Sequence, residues 1–104
     1  MEYAGGRLVT AQDGPIGWIT FNQPERLNAV RRDMWDDLPA AVASLTSRAD
    51  VRAIVVKGAG DKAFISGADI AEFDTQRHNA ASNRPFTASV TAATASLIEA
   101  PVPV

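Results

Sequence analysis

The chain has 104 residues, 46% of them hydrophobic, with 10 Lys and Arg set against 12 Asp and Glu, for a formal charge of −2. That length holds one small domain. The charge balance gives no basic patch for nucleic acid or anionic membranes, and the absence of cysteine excludes disulfides, a thiolate nucleophile and a cysteine zinc site. With a lone histidine, His78, a multi-histidine metal site within one chain is excluded too.

The first ten residues, Met1 to Thr10, lack the basic and apolar regions of a secretory signal. No apolar run approaches the roughly 18 residues of a membrane span. Together with the missing cysteines, this fits a cytoplasmic protein.

Residues 7–12 and 16–21 read as two strands joined at Asp13-Gly14, a pair suited to a tight hairpin turn, with Pro15 blocking the ladder there. In the second strand Ile16, Trp18 and Thr20 share one face and Gly17, Ile19 and Phe21 the other. Both faces carry bulk, so cover on both sides is expected. Asn22 to Glu25 breaks the extended run.

Residues 31–48 read as a helix, because Met34, Leu38, Ala41, Val42 and Leu45 recur at helical spacing. Asp33, Asp36 and Asp37 suit the positive end of its dipole and read as a solvated face. Pro39 conflicts with continuity, so either a bend or a short first turn is expected there. Ala53 to Val56 is an unbroken apolar run, the pattern of a strand buried on both faces. Strand, helix and buried strand make a βαβ unit.

Gly58-Ala59-Gly60 lacks the third glycine of a dinucleotide fingerprint and the Lys-Ser/Thr of a P-loop, so it reads as strand punctuation. Residues 62–73 read as a short extended piece, a small-residue corner at Ser66-Gly67-Ala68-Asp69, and a helical turn. Two readings of that corner stand side by side. Amide N–H groups around Ala68 and Asp69 could hold a carbonyl oxygen that turns negative during reaction. Alternatively, Asp69 simply caps a helix after a tight turn.

Asp74 to Asn83 is polar and aperiodic and reads as an exposed loop. Phe86, Val90, Ala93 and Leu97 then mark a second helix that ends before Pro101 and Pro103. Trp18 and Trp35 read as packing residues and His78 as a solvated loop residue. The final Pro101 to Val104 looks like the entry to another strand.

Two of these segments, in order and in register, carry a resemblance. Trp18 to Val30, with its Asn22-Gln23-Pro24 turn running into Leu27-Asn28-Ala29, resembles the first signature of the enoyl-CoA hydratase/isomerase (crotonase) superfamily. Val51 to Phe73 is similar to the second: a hydrophobic strand, Gly-x-Gly, then Phe64-Ile65-Ser66-Gly67-Ala68-Asp69-Ile70. The implied fold is α/β: the N-terminal part of a crotonase-like ββα spiral, a hairpin followed by βαβ-type units, with residues 1–104 forming a partial domain.

The resemblance also implies roles. The Ala68 N–H would be one of two main-chain donors that hold the thioester oxygen of an acyl-CoA. Ser66, Gly67, Asp69 and Ile70 would line the coenzyme A path, mostly through backbone. Arg26, Leu27 and Ala29 would form the other wall, with Arg26 near the phosphates, and the loop from Asp74 to Arg84 would border the acyl pocket. Coenzyme A would enter only as part of the substrate, with no separate cofactor. The family's second oxyanion donor and acid/base carboxylates lie beyond the matched segments, and Glu72 and Asp74 do not match them. The isolated chain is therefore expected to be inactive. An intact parent would be a trimer or a dimer of trimers. The alternative is a non-catalytic module that binds coenzyme A or pairs with a longer subunit. A generic nucleotide-binding α/β domain is the third reading.

Overall fold

The computed structural model describes residues 1–67 and 80–104, and the side chains of 1–67 and 87–104. Four strands form one sheet in the order β1-β2-β3-β4: Glu2–Tyr3, Leu8–Asp13, Ile16–Phe21 and Ala53–Gly58. Two α-helices, α1 (Arg32–Thr46) and α2 (Ala80–Ile98), and two 3₁₀ turns, Ala4–Gly6 and Pro24–Arg26, complete the regular structure among the described residues.

β2 and β3 are the expected hairpin, antiparallel from Leu8↔Phe21 to Asp13↔Ile16. The turn sits one residue later than expected, at Gly14-Pro15. Gly14 takes φ +58°, which costs glycine nothing, and Pro15 has no N–H to leave unpaired. β3 and β4 pair in parallel from Ile16↔Ala53 to Phe21↔Gly58, with α1 as the crossover. The βαβ reading holds.

α1 is one continuous helix through Pro39, with no break in its assignment. The missing N–H of Pro39 is offset by the apolar stripe that the helix buries: Met34, Leu38, Ala41, Val42 and Leu45. They pack on Leu8, Ile19, Phe21 and Ile54 of the sheet in one cluster. Complete burial of such side chains contributes about 1.5–3 kcal/mol each.

Cover is one-sided, which corrects two expectations. In β3, Gly17, Ile19 and Phe21 are buried, while Ile16, Trp18 and Thr20 are only half-buried. In β4, Ile54 is buried but Val55 is 38% exposed. The parallel register places Val55 beside Trp18 and Lys57 beside Thr20 on the open face. There the Lys57 ammonium lies 5.2 Å from the centre of the Trp18 ring. Four consecutive apolar residues thus alternate between core and open face like any strand.

The acidic cluster does more than face solvent. Asp37 accepts the Ala4 N–H at 2.9 Å, tying the N-terminal turn to α1. Asp33 lies 3.7 Å from Arg7, and Asp36 accepts the Ser89 hydroxyl of α2. α2 begins at Ala80, inside the expected loop; only residues 74–79 of that loop lie outside the described residues. Its docking on α1 outweighs the weak helix propensity of Ser82 and Asn83. Among its described side chains Ser89 and Ala93 are buried and Val90 is half-buried, so Ser89 takes the place expected of Val90. Pro103 accepts the Ile54 N–H at 2.8 Å, which brings the last residues alongside the free edge of β4 without a strand forming. No helix among the described residues is long and apolar enough to cross a membrane.

Candidate functional site

Parallel pairing puts the carboxyl ends of β3 and β4 side by side, at Phe21 and Gly58. The segments leaving those ends must therefore emerge together, and in open α/β sheets that is where ligands bind. Residues 22–31 form one wall and residues 59–67 the other.

The first wall is a tight knot of backbone. A short 3₁₀ turn, Pro24–Arg26, leads into Leu27 and Asn28, which both adopt the left-handed region at φ +54° and +57°. The knot closes through Leu27 N–H to Pro24 O at 3.1 Å, Asn28 N–H to Gln23 O at 2.8 Å and Ala29 N–H to Arg26 O at 3.0 Å. Its reversal turns the Leu27 side chain outward, 49% exposed, and drives Asn28 inward, 1% exposed.

Buried polar groups must find partners, and Asn28 finds three. Its Oδ1 accepts the Gln23 N–H at 2.9 Å. Its Nδ2 donates to Ala59 O and to Ala63 O, each at 2.9 Å. Gln23, also buried, donates its Nε2 to Ala29 O at 2.7 Å. Gly58 makes room for this: a Cβ there would lie 2.6 Å from Asn28 Nδ2 and 2.2 Å from Phe64 O.

Between the walls lies a cleft of about 280 Å³, lined by Pro24, Glu25, Leu27, Asn28 and residues 59–63. Its charged residues are Glu25, Asp61 and Lys62. Farther along, Val30 N–H donates to Gly67 O at 2.8 Å, and Ser66 Oγ reaches Arg26 O at 3.4 Å. Gly67 has φ +127°, a conformation that admits almost no other residue. In the second wall, Phe64 meets Phe21 edge-on at 6.5 Å, and Phe21 meets Trp35 in the same way at 6.5 Å.

The expected site residues divide as follows. Leu27 lines the cleft, and Arg26 is exposed at the end of the 3₁₀ turn. Ala29 is buried and takes part through its carbonyl. Ser66 and Gly67 are joined to the first wall as described. Ala68, Asp69 and Ile70 lie outside the described residues, as do Glu72, Asp74 and His78. Lys62, Asn28 and Gln23 were given no role from sequence. The available signals were a lone lysine in a glycine- and alanine-rich turn and an asparagine, the non-glycine residue most at ease at positive φ.

The strained position yields a test. Relief of left-handed strain in Leu27→Gly is worth about 1–2 kcal/mol, and the extra chain entropy of glycine costs roughly 0.5–1 kcal/mol. Unfolding free energy should shift by no more than about 1.5 kcal/mol, whereas ligand affinity at the cleft falls with the lost apolar wall. Urea denaturation and calorimetric titration read the two effects separately. A large loss of stability would show that Leu27 supports the fold and not the cleft.

Residues 16–104 match the family model for enoyl-CoA hydratase/isomerase. Over 65 residues the chain is 31% identical to the short-chain-enoyl-CoA hydratase of Clostridium acetobutylicum, a stretch covering 62% of this chain and 25% of that protein. The crystal structure of an enoyl-CoA hydratase/carnithine racemase from Magnetospirillum magneticum superposes with a TM-score of 0.89 and 34% identity, covering 94% of this chain and 37% of that one. An enoyl-CoA hydratase/isomerase from Xanthobacter autotrophicus gives 0.84 and 28%, over 93% and 36% of the two chains. The match thus spans about a quarter of the length of the curated relatives. The expected fold class, the N-terminal part of a crotonase-like fold, holds.

Proposed function

This chain belongs to the enoyl-CoA hydratase/isomerase family, and from that premise we propose that it binds the thioester of an acyl-coenzyme A and stabilises the corresponding enolate. The observation that carries the reading is the cleft at the paired carboxyl ends of β3 and β4, between two walls that are also joined at Gly67 by the bond from Val30 N–H.

Each part has a task. Leu27 offers an apolar surface to the coenzyme, and Lys62 and Arg26 offer positive charge to its phosphates. Ser66 and Gly67 present main chain to the pantetheine arm, since small residues let a ligand approach closely. We assign the Ala68 N–H as the donor to the thioester oxygen, and Asp69 and Ile70 as further contacts of the coenzyme. When electrons move onto this oxygen as the enolate forms, a fixed amide donor gains strength without reorganising. In comparable sites one such donor is worth about 2.7–4 kcal/mol. No carboxylate of the chain is assigned as general acid or base, so the 104 residues bind and polarise the ester without turning it over.

The test is titration of the purified chain with coenzyme A, acetyl-CoA, NAD and ATP, followed by calorimetry and tryptophan fluorescence. Saturable binding of coenzyme A and its ester, with weaker or no response to NAD and ATP, is expected. Preference for NAD or ATP overturns the reading. Measurable hydration of crotonyl-CoA by the chain alone overturns the statement that it binds without turnover.

A further inference from the structure

We propose that Asn28 is the positioning residue of the cleft: its side-chain amide is a strut that holds the two walls at one separation and, through Val30, fixes the corner at Gly67. The inference rests on the coenzyme A reading for what the cleft holds, but its geometry stands apart from it.

The strut demands one acceptor facing Gln23 N–H and two donors facing Ala59 O and Ala63 O. A primary amide supplies that set; an ionised carboxylate supplies acceptors only. The position also demands tolerance of φ +57°, which asparagine has and most residues lack. Both demands meet at a single 1%-exposed side chain, with Gly58 shaped to leave its Nδ2 room. Ala59 and Ala63 bracket the turn that forms the second wall, so both ends of that turn hang on one nitrogen. Two residues beyond Asn28, Val30 N–H holds Gly67 O. The strut and the corner are thus linked by a few bonds of stiff backbone.

The 104-residue chain, wild type, Asn28→Asp and Asn28→Gly, is compared by amide hydrogen exchange and by coenzyme A titration at pH 7 and pH 5. Asn28→Asp sets a carboxylate against two carbonyl oxygens and should strip protection from the Val30 amide at least tenfold at pH 7. Protection in β2 and β3 should stay within about twofold, and affinity should fall at least tenfold. Burial against two carbonyl oxygens raises the pKa of the new carboxyl, so going to pH 5 favours its protonated form, which regains one donor, and the ratio to wild-type affinity narrows. Asn28→Gly relieves the backbone and removes the amide without charge; it should lose Val30 protection equally and show no recovery at pH 5.

Unchanged Val30 protection in both variants overturns the strut. So does a uniform loss of protection across the sheet in Asn28→Gly, which would make Asn28 a folding residue only. A wild-type chain that ignores coenzyme A overturns the proposed function instead; Val30 exchange in the variants then decides the strut by itself.

Discussion

Gly58→Ala is expected to destabilise the chain by about 3 kcal/mol or more and to abolish coenzyme A binding. The new methyl would sit 2.2 Å from Phe64 O, 2.5 Å from Ala63 O and 2.6 Å from Asn28 Nδ2. Two of those three atoms are main chain, so no side-chain rotation relieves the clash. Residues 59–64 must therefore lift from β4, which breaks the bonds from Asn28 to Ala59 and Ala63. The edge contact of Phe64 with Phe21 is lost with them. Gly17→Ala is the internal control. The three atoms nearest its methyl would all belong to the Leu45 side chain, at 3.1 to 3.4 Å, which needs to give by only a few tenths of an ångström, at a cost of about 1 kcal/mol. Urea denaturation followed by circular dichroism ranks the two. Equal costs would mean that the packing around Gly58 is not as described.

Gly67→Ala is expected to weaken acetyl-CoA binding by about fivefold to 150-fold, with a smaller loss of global stability. Among the described residues nothing lies within 4 Å of the added carbon, so they offer no steric obstacle. The obstacle is φ +127°. An L-residue held there costs about 1–3 kcal/mol, and each 1.4 kcal/mol is tenfold in affinity. If the chain relaxes instead, Gly67 O swings away from Val30 N–H and the corner beside Ala68 is lost. Handedness offers a decisive control. Chemical ligation can install Gly67→D-Ala, whose mirror-image preference accepts this φ, and affinity should return. Calorimetric titration within twofold of wild type for the L-variant would sink the role given to the corner.

Much of the fold was legible because local and global signals agree. Asp13-Gly14-Pro15 announces a reversal by backbone chemistry alone. The stripe from Met34 to Leu45 announces a helix that buries one face, and that stripe was strong enough to carry α1 through Pro39. The cover of β3 and β4 was misread because an apolar run states how oily a strand is, not how much protein lies on each side. The cleft was legible only in part. Leu27 carries no sign of its left-handed backbone, which is imposed by the closing bonds of the 3₁₀ turn. The role of Asn28 exists only once the parallel register brings residues 59 and 63 next to it, and no spacing along the chain encodes that meeting. The expected donor at Ala68 and its neighbours Asp69 and Ile70 lie outside the described residues.

The mixed pairing of the sheet also sets an order of events. The β2–β3 hairpin closes across two residues, a search that takes microseconds. The parallel pairing of β4 with β3 must wait until the whole crossover through α1 has been gathered in, at a far larger entropic cost of loop closure. Both banks of the cleft spring from that late pairing. The nascent polypeptide thus owns a hairpin early and a binding groove last, so a ligand that favours the groove acts on the final step of folding and leaves the first ones untouched.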